Sequence, residues 1–357
     1  MAWFITKDIS IAGMAAAVPA NQIEAMSCTD RFDEKTIEKF VDSTGIARVH
    51  KACREQTASD LGYAAAENLL NKLNVDRSRI GILVFVTLSP DYKKPTTACV
   101  LQKRLGLSTE CACMDVGHGC GGFVYGNEVT ESLMMASDTE LGLLILGETT
   151  SKVTGIEDIN SLMFADAGAA VLYQRASGIK HTTLLRSDGN RFKSLIVPAG
   201  GFRDPHPEEA FFFTPDGAKK SKYDIYMDGT DVFLFSITDV PRAIDDYLKK
   251  TGNSMDAFDA VAFHQANRYI IQRLMRKYKL EKDRVPLCLD RYGNTSSVSI
   301  PLALCDMYGQ KTCMAQHILA CGFGVGLAWG VTSFDICPEN VFPVVETDVY
   351  FPEGAIS

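Results

Sequence analysis

One cysteine of this chain stands among glycines in the stretch MDVGHGCGGFVYGNE, where an apolar run ends near Val116 and a helical pattern begins. Glycines on both sides of Cys120 allow a sharp bend between strand and helix, and they let a ligand approach the backbone closely. A thiol at a helix N-terminus faces the positive end of the helix dipole, which predicts a lowered pKa and a nucleophilic thiolate. The alternative is a small buried cysteine in a packing turn, the interpretation we favour for the other ten cysteines.

A histidine directly follows an apolar run in AVAFHQANRYI. His264 would therefore lie at the carboxyl end of a buried strand, where α/β sheets gather their ligands. Gln265 and Asn267 come next and are able to orient an imidazole ring. We interpret four other histidines as structural residues: His50, His181, His206 and His317.

Two further stretches are ambiguous when each is taken alone. Asn294 follows a glycine in RYGNTSSVSIP and is a typical turn residue, and Thr295, Ser296 and Ser297 are predicted to cap the next helix. The glycine-rich GFGVGLAWG, Gly322–Gly330, either presents backbone N–H groups to an oxyanion or lets a strand pass close to a neighbour.

Helical patterns alternate with short apolar runs rich in β-branched residues, which predicts a mostly parallel α/β fold. Ser59–Asn71 and Thr238–Lys250 have helical spacing. The runs IGILVFV and AVAF that follow them are uniformly apolar, as in strands buried on both faces. A Pro- and Gly-rich stretch at 187–222 is predicted to form surface loops.

The two helix–strand units align with each other at an offset of 178 residues, so that Phe85 matches Phe263. LLILG at 143–147 also resembles ILACG at 318–322, at an offset of 175 residues. Two matches at nearly one offset indicate an internal duplication. We predict an N-terminal half at 1–178 that carries the cysteine and a C-terminal half at 179–357 that carries the histidine and the asparagine.

Composition narrows the class of protein. The net charge of −8 disfavours nucleic acid as a partner, because phosphate neutralisation requires a basic face. Eleven cysteines without a Cys-x-x-Cys pair predict neither a metal site nor a disulfide framework in a chain of 357 residues. No stretch approaches the ~18 apolar residues of a membrane span, and the N-terminus fits a buried first strand better than a secretory signal. We expect a soluble, cytoplasmic protein that interacts with no membrane.

Seven stretches resemble the β-ketoacyl-acyl carrier protein synthase III family of the thiolase superfamily, and they occur in that family's order from about residue 10 to 335. They are FVDSTGIARVHKA, MDVGHGCGGFVYG, LMFADAGAAVLY, YMDGTDVFLFSITDVP, FHQANRYI, RYGNTSSVSIPLAL and GFGVGLAWG. FHQAN followed by YGNTSS is the most specific pair.

The resemblance implies an α/β fold of the thiolase-like kind, with duplicated halves in five layers (αβαβα), and a homodimer. It implies that Cys120 takes an acyl group from acyl-CoA or an acyl-carrier protein. Malonyl-acyl carrier protein then loses carbon dioxide, and its enolate, stabilised by His264 and Asn294, attacks the acyl group. The substrates are acyl-CoA and phosphopantetheinylated carrier protein, with no cofactor and no metal. The late glycine-rich loop, at Gly324, Val325 and Gly326, would supply backbone N–H groups to a second oxyanion.

The chain departs from the family where the acyl donor would bind. The tryptophan and arginine that grip the CoA adenine fall at Lys39 and Ser43, and the acyl-pocket phenylalanine falls near Lys94. These departures leave open which primer is used and whether CoA or a carrier protein delivers it. Candidate residues for binding the carrier protein or CoA are Lys152, Asn267, Arg268, Arg276 and Lys277, although a solvated helix face accounts equally well for the basic ones.

Three alternatives to a decarboxylating condensing enzyme remain at this stage. The same fold could pass the acyl group to an oxygen or nitrogen acceptor without decarboxylation. A cysteine hydrolase of papain-like fold also has Cys, His and Asn in this order, although the Cys-Gly-x-Cys-Trp signature is missing. A scaffold without catalysis would be indifferent to alkylation of Cys120.

Overall fold

The computed structural model describes residues 2–214, 219–309 and 311–352, which form fifteen strands and eight α-helices. The strands are β1 (Ala2–Pro19), β2 (Gln22–Glu24), β3 (Arg48–His50), β4 (Ile80–Val86), β5 (Ala112–Val116), β6 (Leu141–Glu148), β7 (Ala167–Ser187), β8 (Leu195–Ile196), β9 (Phe211–Phe213), β10 (Lys219–Ser221), β11 (Tyr226–Met227), β12 (Ala260–Phe263), β13 (Gln316–Gly324), β14 (Ala328–Ile336) and β15 (Val345–Thr347). The helices are α1 (Glu34–Thr44), α2 (Ala58–Lys72), α3 (Thr97–Arg104), α4 (Gly122–Met135), α5 (Gly229–Thr251), α6 (Arg268–Tyr278), α7 (Leu289–Tyr292) and α8 (Ser299–Tyr308).

The strand order contains the same four-strand pattern twice. In the first half the order is β4-β6-β7-β1, and in the second it is β12-β13-β14-β7. Both patterns open with a parallel pair, β4 with β6 and β12 with β13, and continue with antiparallel pairs. The topology therefore repeats at the positions where the sequence predicts a duplication.

Strand β7 belongs to both repeats. Its first part pairs with β6 as far as Gln174, and its last part pairs with β14 from Thr183 onward. Between them, the Gly178 N–H donates to the Asp8 carboxylate, and both residues have positive φ where β1 and β7 shift register. Position 178 thus lies in a continuous strand, and the division into 1–178 and 179–357 stays a prediction.

Three hydrophobic clusters fill the spaces between five layers. Helices α2 and α3 pack on the outer face of β4 and β6, through residues such as Leu69 and Leu101. Helices α4 and α8 lie in the middle, where Phe123 and Ile300 belong to one cluster with residues of β4, β6, β12 and β13. Helices α5 and α6 cover the other outer face. This is the duplicated five-layer αβαβα arrangement that the resemblance implies.

The predicted elements are present, with two corrections. The helix predicted at Thr238–Lys250 begins at Gly229, because the Asp228 carboxylate accepts a hydrogen bond from the Asp231 N–H and caps α5 there. Thr238 and Pro241 are residues typical of a helix start, but here they lie inside α5. The stretch at 187–222 consists of short strands and loops as predicted, yet it is not confined to the surface, since Leu195 is buried.

Candidate active site

Cys120 lies at the bend between β5 and α4, as predicted. The bend is tight, because the Gly122 N–H donates to the Gly119 carbonyl. A Cβ at Gly119 would lie within 3 Å of the Val325 and Leu88 side chains, so glycine lets this turn approach two other loops closely without displacing them. The thiol is 7% exposed.

The predicted lowering of the thiol pKa is wrong. Burial raises the pKa of Cys120 to about 11, and the negative charge of Glu148 adds to the rise. Hydrogen bonds from the Ser296 hydroxyl and from the backbone N–H groups of Val325 and Cys120 act in the opposite direction but do not reverse it. The cost of removing a thiolate from water exceeds what these hydrogen bonds return. At neutral pH the side chain is a thiol.

His264 follows β12 directly and is 2% exposed. Its Nδ1 lies 2.7 Å from the Ser299 hydroxyl, and its ring packs edge-on against Phe323. Burial lowers the pKa of His264 to about 3, so the imidazole is neutral at physiological pH. When Ser299 donates to Nδ1, the ring proton resides on Nε2 and is available to a ligand.

Asn294 is fixed by its backbone and by its side-chain oxygen. The backbone N–H donates to the Met163 carbonyl, and the Asn294 carbonyl accepts from the Ala165 N–H. Its Oδ1 accepts a hydrogen bond from the Ser296 N–H at 3.0 Å. Because the oxygen is engaged, the Nδ2 amide is the group left to donate to a ligand.

The segment 294–299 supports all three predicted catalytic residues. It contains Asn294, it places the Ser296 Oγ 3.8 Å from the Cys120 Sγ, and it places the Ser299 Oγ beside His264. Ser296 holds a left-handed φ of 52°, which is uncommon for a residue other than glycine and is typical of functional sites.

Two predicted supporting roles are therefore wrong. The hydroxyls of Ser296 and Ser297 contact Cys120 and Glu148, and α8 begins after Val298 without a side-chain cap. Gln265 does not orient the imidazole, because its side chain bonds to backbone atoms of Phe263, Pro286 and Cys288. Both roles were predicted from adjacency in sequence, whereas the fold places a residue distant in sequence, Ser299, beside the imidazole.

The glycine-rich loop approaches the nucleophile. A Cβ at Gly324 would lie 2.5 Å from the Cys120 Cβ and 2.9 Å from its Sγ, so only glycine fits there. The Val325 N–H reaches the Cys120 sulfur. Gly326 follows with a φ of 136°. Two backbone N–H groups, those of Cys120 and Val325, thus lie at the sulfur, the arrangement that binds an oxyanion in acyl transfer.

One narrow cavity of about 60 Å³ unites the predicted residues. Cys120, His264, Asn294 and Gly324 line it together with Asn267. The remaining wall is mostly apolar: Met163, Phe164, Leu195, Met227, Val232, Ser236, Ala266, Ile270 and Phe323.

Of the residues predicted to bind a carrier protein or CoA, Lys152 lies in the loop after β6 and the other four lie at the two ends of α6. Lys152 donates to the carbonyls of Arg54 and Gln56 and so supports a loop. Asn267 caps α6 by accepting from the Ile270 N–H, and Arg268 donates to the Asp42 carbonyl beside a surface pocket.

The two other basic candidates lie near the end of α6. Lys277 pairs with Asp245 at 2.5 Å, and Arg276 is exposed in the last turn of the helix. For all five residues, binding of substrate stays a prediction.

Sequence reasoning missed three residues of the site, namely Ser296, Ser299 and Glu148. Ser296 is predicted from sequence only to cap the next helix, and Ser299 has no predicted role. Glu148 is 1% exposed, and burial raises its pKa to about 8, so it is mostly a neutral carboxylic acid at pH 7. A glutamate at the end of the apolar run LGLLILGE was the available signal, because a buried carboxyl group requires partners.

Within the described residues, no helix is long and apolar enough to cross a bilayer. The same part of the chain has no group of three or more His, Cys, Asp or Glu side chains placed to hold a metal ion.

Comparison with known proteins places this chain in a family. The family profile described as 3-oxoacyl-[acyl-carrier-protein (ACP)] synthase III matches residues 114–189, and its C-terminal counterpart matches residues 248–336. The β-ketoacyl-[acyl-carrier-protein] synthase III of Clostridium beijerinckii is 32% identical over 329 residues, covering 91% of this chain and 98% of that protein.

A solved structure agrees with the sequence comparison. The crystal structure of a 3-oxoacyl-(acyl-carrier protein) synthase from Burkholderia xenovorans LB400 superimposes with a TM-score of 0.90 at 32% identity, over 97% of this chain and 99% of that one. A papain-like fold is thereby ruled out. The chain belongs to the 3-oxoacyl-acyl carrier protein synthase III family, and it is a condensing enzyme of the acyltransferase class.

Proposed function

We propose that this enzyme loads an acyl group from an acyl thioester onto Cys120 and then condenses it with malonyl-acyl carrier protein. The observation that carries the proposal is the cavity that Cys120 shares with His264 and Asn294. Residues far apart in sequence meet there at the carboxyl ends of strands or in the loop before α8. The Clostridium and Burkholderia relatives are named for the same reaction class.

In the first half-reaction, the Cys120 sulfur attacks the thioester carbonyl. A thioester bond forms to Cys120, the bond to the donor sulfur breaks, and the thiol proton passes to the leaving thiolate. The N–H groups of Cys120 and Val325 stabilise the tetrahedral oxyanion. Because His264 has a pKa of about 3, it is a poor resting base, and the proton transfer accompanies attack.

In the second half-reaction, the malonyl thioester loses carbon dioxide and leaves an enolate. The neutral His264 and the Asn294 amide donate hydrogen bonds to the enolate oxygen. The enolate carbon then attacks the acyl-Cys120 carbonyl, a carbon–carbon bond forms, and the Cys120 thiolate departs and takes up a proton. This scheme uses no metal and no cofactor, because fixed neutral donors stabilise the developing charge.

The route for the thioester arm is supported by a second cavity. It has a volume of about 950 Å³ and adjoins the catalytic cavity, since Met227 lines both. Both acyl-CoA and an acyl-carrier protein present a pantetheine arm, which on this proposal approaches Cys120 from the side of the larger cavity. The basic residues of α6, Arg268 at its start and Arg276 and Lys277 in its last turn, are our candidates for contacting an acidic carrier protein.

We also propose a homodimer in the cytoplasm. Strand β5 is an edge strand of the large sheet, and its outer row of backbone groups is suited to pairing with a second copy. All eleven cysteines are free thiols, which suits a reducing compartment. A sedimentation experiment that finds only monomer would contradict the dimer.

Incubation with acyl-CoA and malonyl-acyl carrier protein labelled in its free carboxyl group tests the function. We expect labelled carbon dioxide and an acyl adduct on Cys120 that intact-mass spectrometry detects. Cys120→Ser should lose the adduct, whereas His264→Ala and Asn294→Ala should keep it and lose condensation. Acyl transfer without release of carbon dioxide would favour the non-decarboxylating alternative.

Matched controls separate catalysis from general damage. Cys53→Ser removes an exposed cysteine, and His317→Ala removes a histidine at the molecular surface. Both variants should retain the adduct and the carbon dioxide release of the parent enzyme.

A further inference from the structure

Glu148 is a buried carboxyl group that the proposed reaction does not use. It ends β6 and is 1% exposed. Its Oε1 accepts hydrogen bonds from the Leu88 N–H at 3.2 Å and the Ser297 hydroxyl at 3.3 Å, and its Oε2 accepts from the Ser89 hydroxyl at 3.2 Å. One side chain therefore connects three segments: the end of β6, the loop after β4 and the turn before α8.

Two of these segments touch the catalytic groups. Ser297 lies between Ser296, whose hydroxyl is near the Cys120 sulfur, and Ser299, whose hydroxyl holds His264. Leu88 lies against Gly119, one residue before the nucleophile. Movement of the Glu148 carboxyl group would therefore shift both the turn before α8 and the loop that contacts Gly119.

The charge of Glu148 also affects the ionisation of Cys120. Its charge raises the Cys120 pKa, and Asp166 is another titratable group that faces it. Burial keeps Glu148 largely protonated at pH 7, despite the hydrogen bonds that favour the anion. A neutral acid positions neighbours without adding a negative charge beside a reaction that generates a thiolate and an enolate.

We propose that Glu148 is a positioning residue that holds the turn bearing Asn294 and Ser296 against the loop beside Cys120 and thereby sets the geometry of both half-reactions. The inference depends on the proposed function for its condensation readout. Its readout on the Cys120 thiol is independent of any substrate.

The experiment compares Glu148→Gln with Glu148→Ala and Ser297→Ala. Glutamine keeps the shape and an acceptor oxygen but never ionises, whereas alanine removes every contact. Glu128→Gln is the matched control, because Glu128 is also buried with a pKa raised to about 7 but lies on α4 away from the cavity. For each protein we would measure the rate of Cys120 alkylation against pH, by peptide mass, and kcat and KM for condensation.

For Glu148→Ala we expect kcat to fall about ten- to hundredfold, with the KM for malonyl-acyl carrier protein little changed. The reason is that a displacement of the catalytic groups by about 1 Å costs up to about a hundredfold in rate. Ser297→Ala should lower kcat by a smaller factor, because it removes only one of the three hydrogen bonds to the Glu148 carboxyl group. Glu148→Gln should retain kcat within about threefold at pH 7. At pH 8 to 9 its Cys120 should be alkylated about two- to tenfold faster than in the parent, because a nearby negative charge is gone.

Three results would overturn the inference: unchanged kcat in a folded Glu148→Ala enzyme, an alkylation profile of Glu148→Gln identical to the parent, or the same change of profile in Glu128→Gln. If Glu148→Ala fails to fold, Ser297→Ala decides, because it removes the contact between the turn and the carboxyl group and leaves Glu148 in place. Failure of the proposed function looks different, because then the parent enzyme itself releases no carbon dioxide while its alkylation profile remains measurable.

Discussion

Cys120 and His264 form an uncharged pair in the resting enzyme. Burial raises the thiol pKa and lowers the imidazole pKa, and both changes follow from the same loss of solvent. A thiolate–imidazolium pair, common in cysteine hydrolases, is therefore absent here. The neutral imidazole is suited to donating a hydrogen bond, which is the role the condensation step requires of it.

The raised pKa gives a direct prediction for Cys120 reactivity. Only the thiolate is alkylated, so the rate of Cys120 modification by iodoacetamide should rise about tenfold per pH unit from pH 7 until it levels near pH 11. The exposed Cys53 serves as the internal reference. Modification of Cys120 that levels below pH 8 would contradict the burial argument.

Gly324 is the residue whose substitution should harm the nucleophile most directly. In Gly324→Ala the new methyl group would meet the Cys120 side chain at less than 3 Å, so one of them must move. We expect acylation of Cys120 to slow by at least about 100-fold. Gly189→Ala is the control, because a Cβ there meets open space. Equal acylation rates in the two variants would refute the close approach.

The three catalytic candidates could be found from sequence because each lies in a recognisable local pattern. Cys120 stands among glycines, His264 follows a buried strand, and Asn294 lies in a turn. The direction of the thiol pKa could not, since it depends on how deeply residues from both halves cover Cys120. Ser296 and Ser299 were missed for the same reason. Their hydroxyls have ordinary local uses, and only the fold assigns them to the sulfur and the imidazole.

At the scale of an element, the stability of α5 depends on its N-cap residue, Asp228. Asp228→Ala removes the acceptor for the Asp231 N–H and should lower the free energy of unfolding by about 1 kcal/mol. Asp228→Asn keeps a capping oxygen and should cost much less. Urea denaturation of both variants measures the difference, and equal midpoints would show that the cap contributes nothing.

Helices and strands were predictable where one regular spacing of apolar residues dominates a stretch of the sequence. Helix α2 and strands β4 and β12 match their predictions to within a residue, because their apolar spacing is regular. The start of α5 was missed because the run VFLF lacks helical spacing and a proline lies twelve residues into the helix. Here the cap and the packing of Phe235 against Trp329 outweigh local signals.

At the scale of the whole molecule, buried glutamates make stability depend on pH. The Glu128 pKa rises from 4.5 to about 7 on burial beside Glu131, so the folded state holds more protons than the unfolded one between these values. Its contribution is complete below pH 4.5 and is lost as pH rises to 7.

Glu128→Gln isolates this contribution. We expect the variant to gain stability over the parent as pH rises from 4.5 to 7, by at most about 1.4 kcal/mol per pH unit. Urea unfolding at several pH values measures the difference. A constant difference across that range would mean that Glu128 does not change its protonation on unfolding.

The continuous strand β7 has an evolutionary consequence. In the repeated strand pattern, the last strand of the first repeat continues without a break as the first strand of the second, so the two repeats share one strand. Each repeat supplies only part of the chemistry, the sulfur from one and the proton donors from the other. Recombination between relatives should therefore be tolerated at loops such as the one after β6, and it should be lethal to the fold when the crossover pairs mismatched halves of that shared strand.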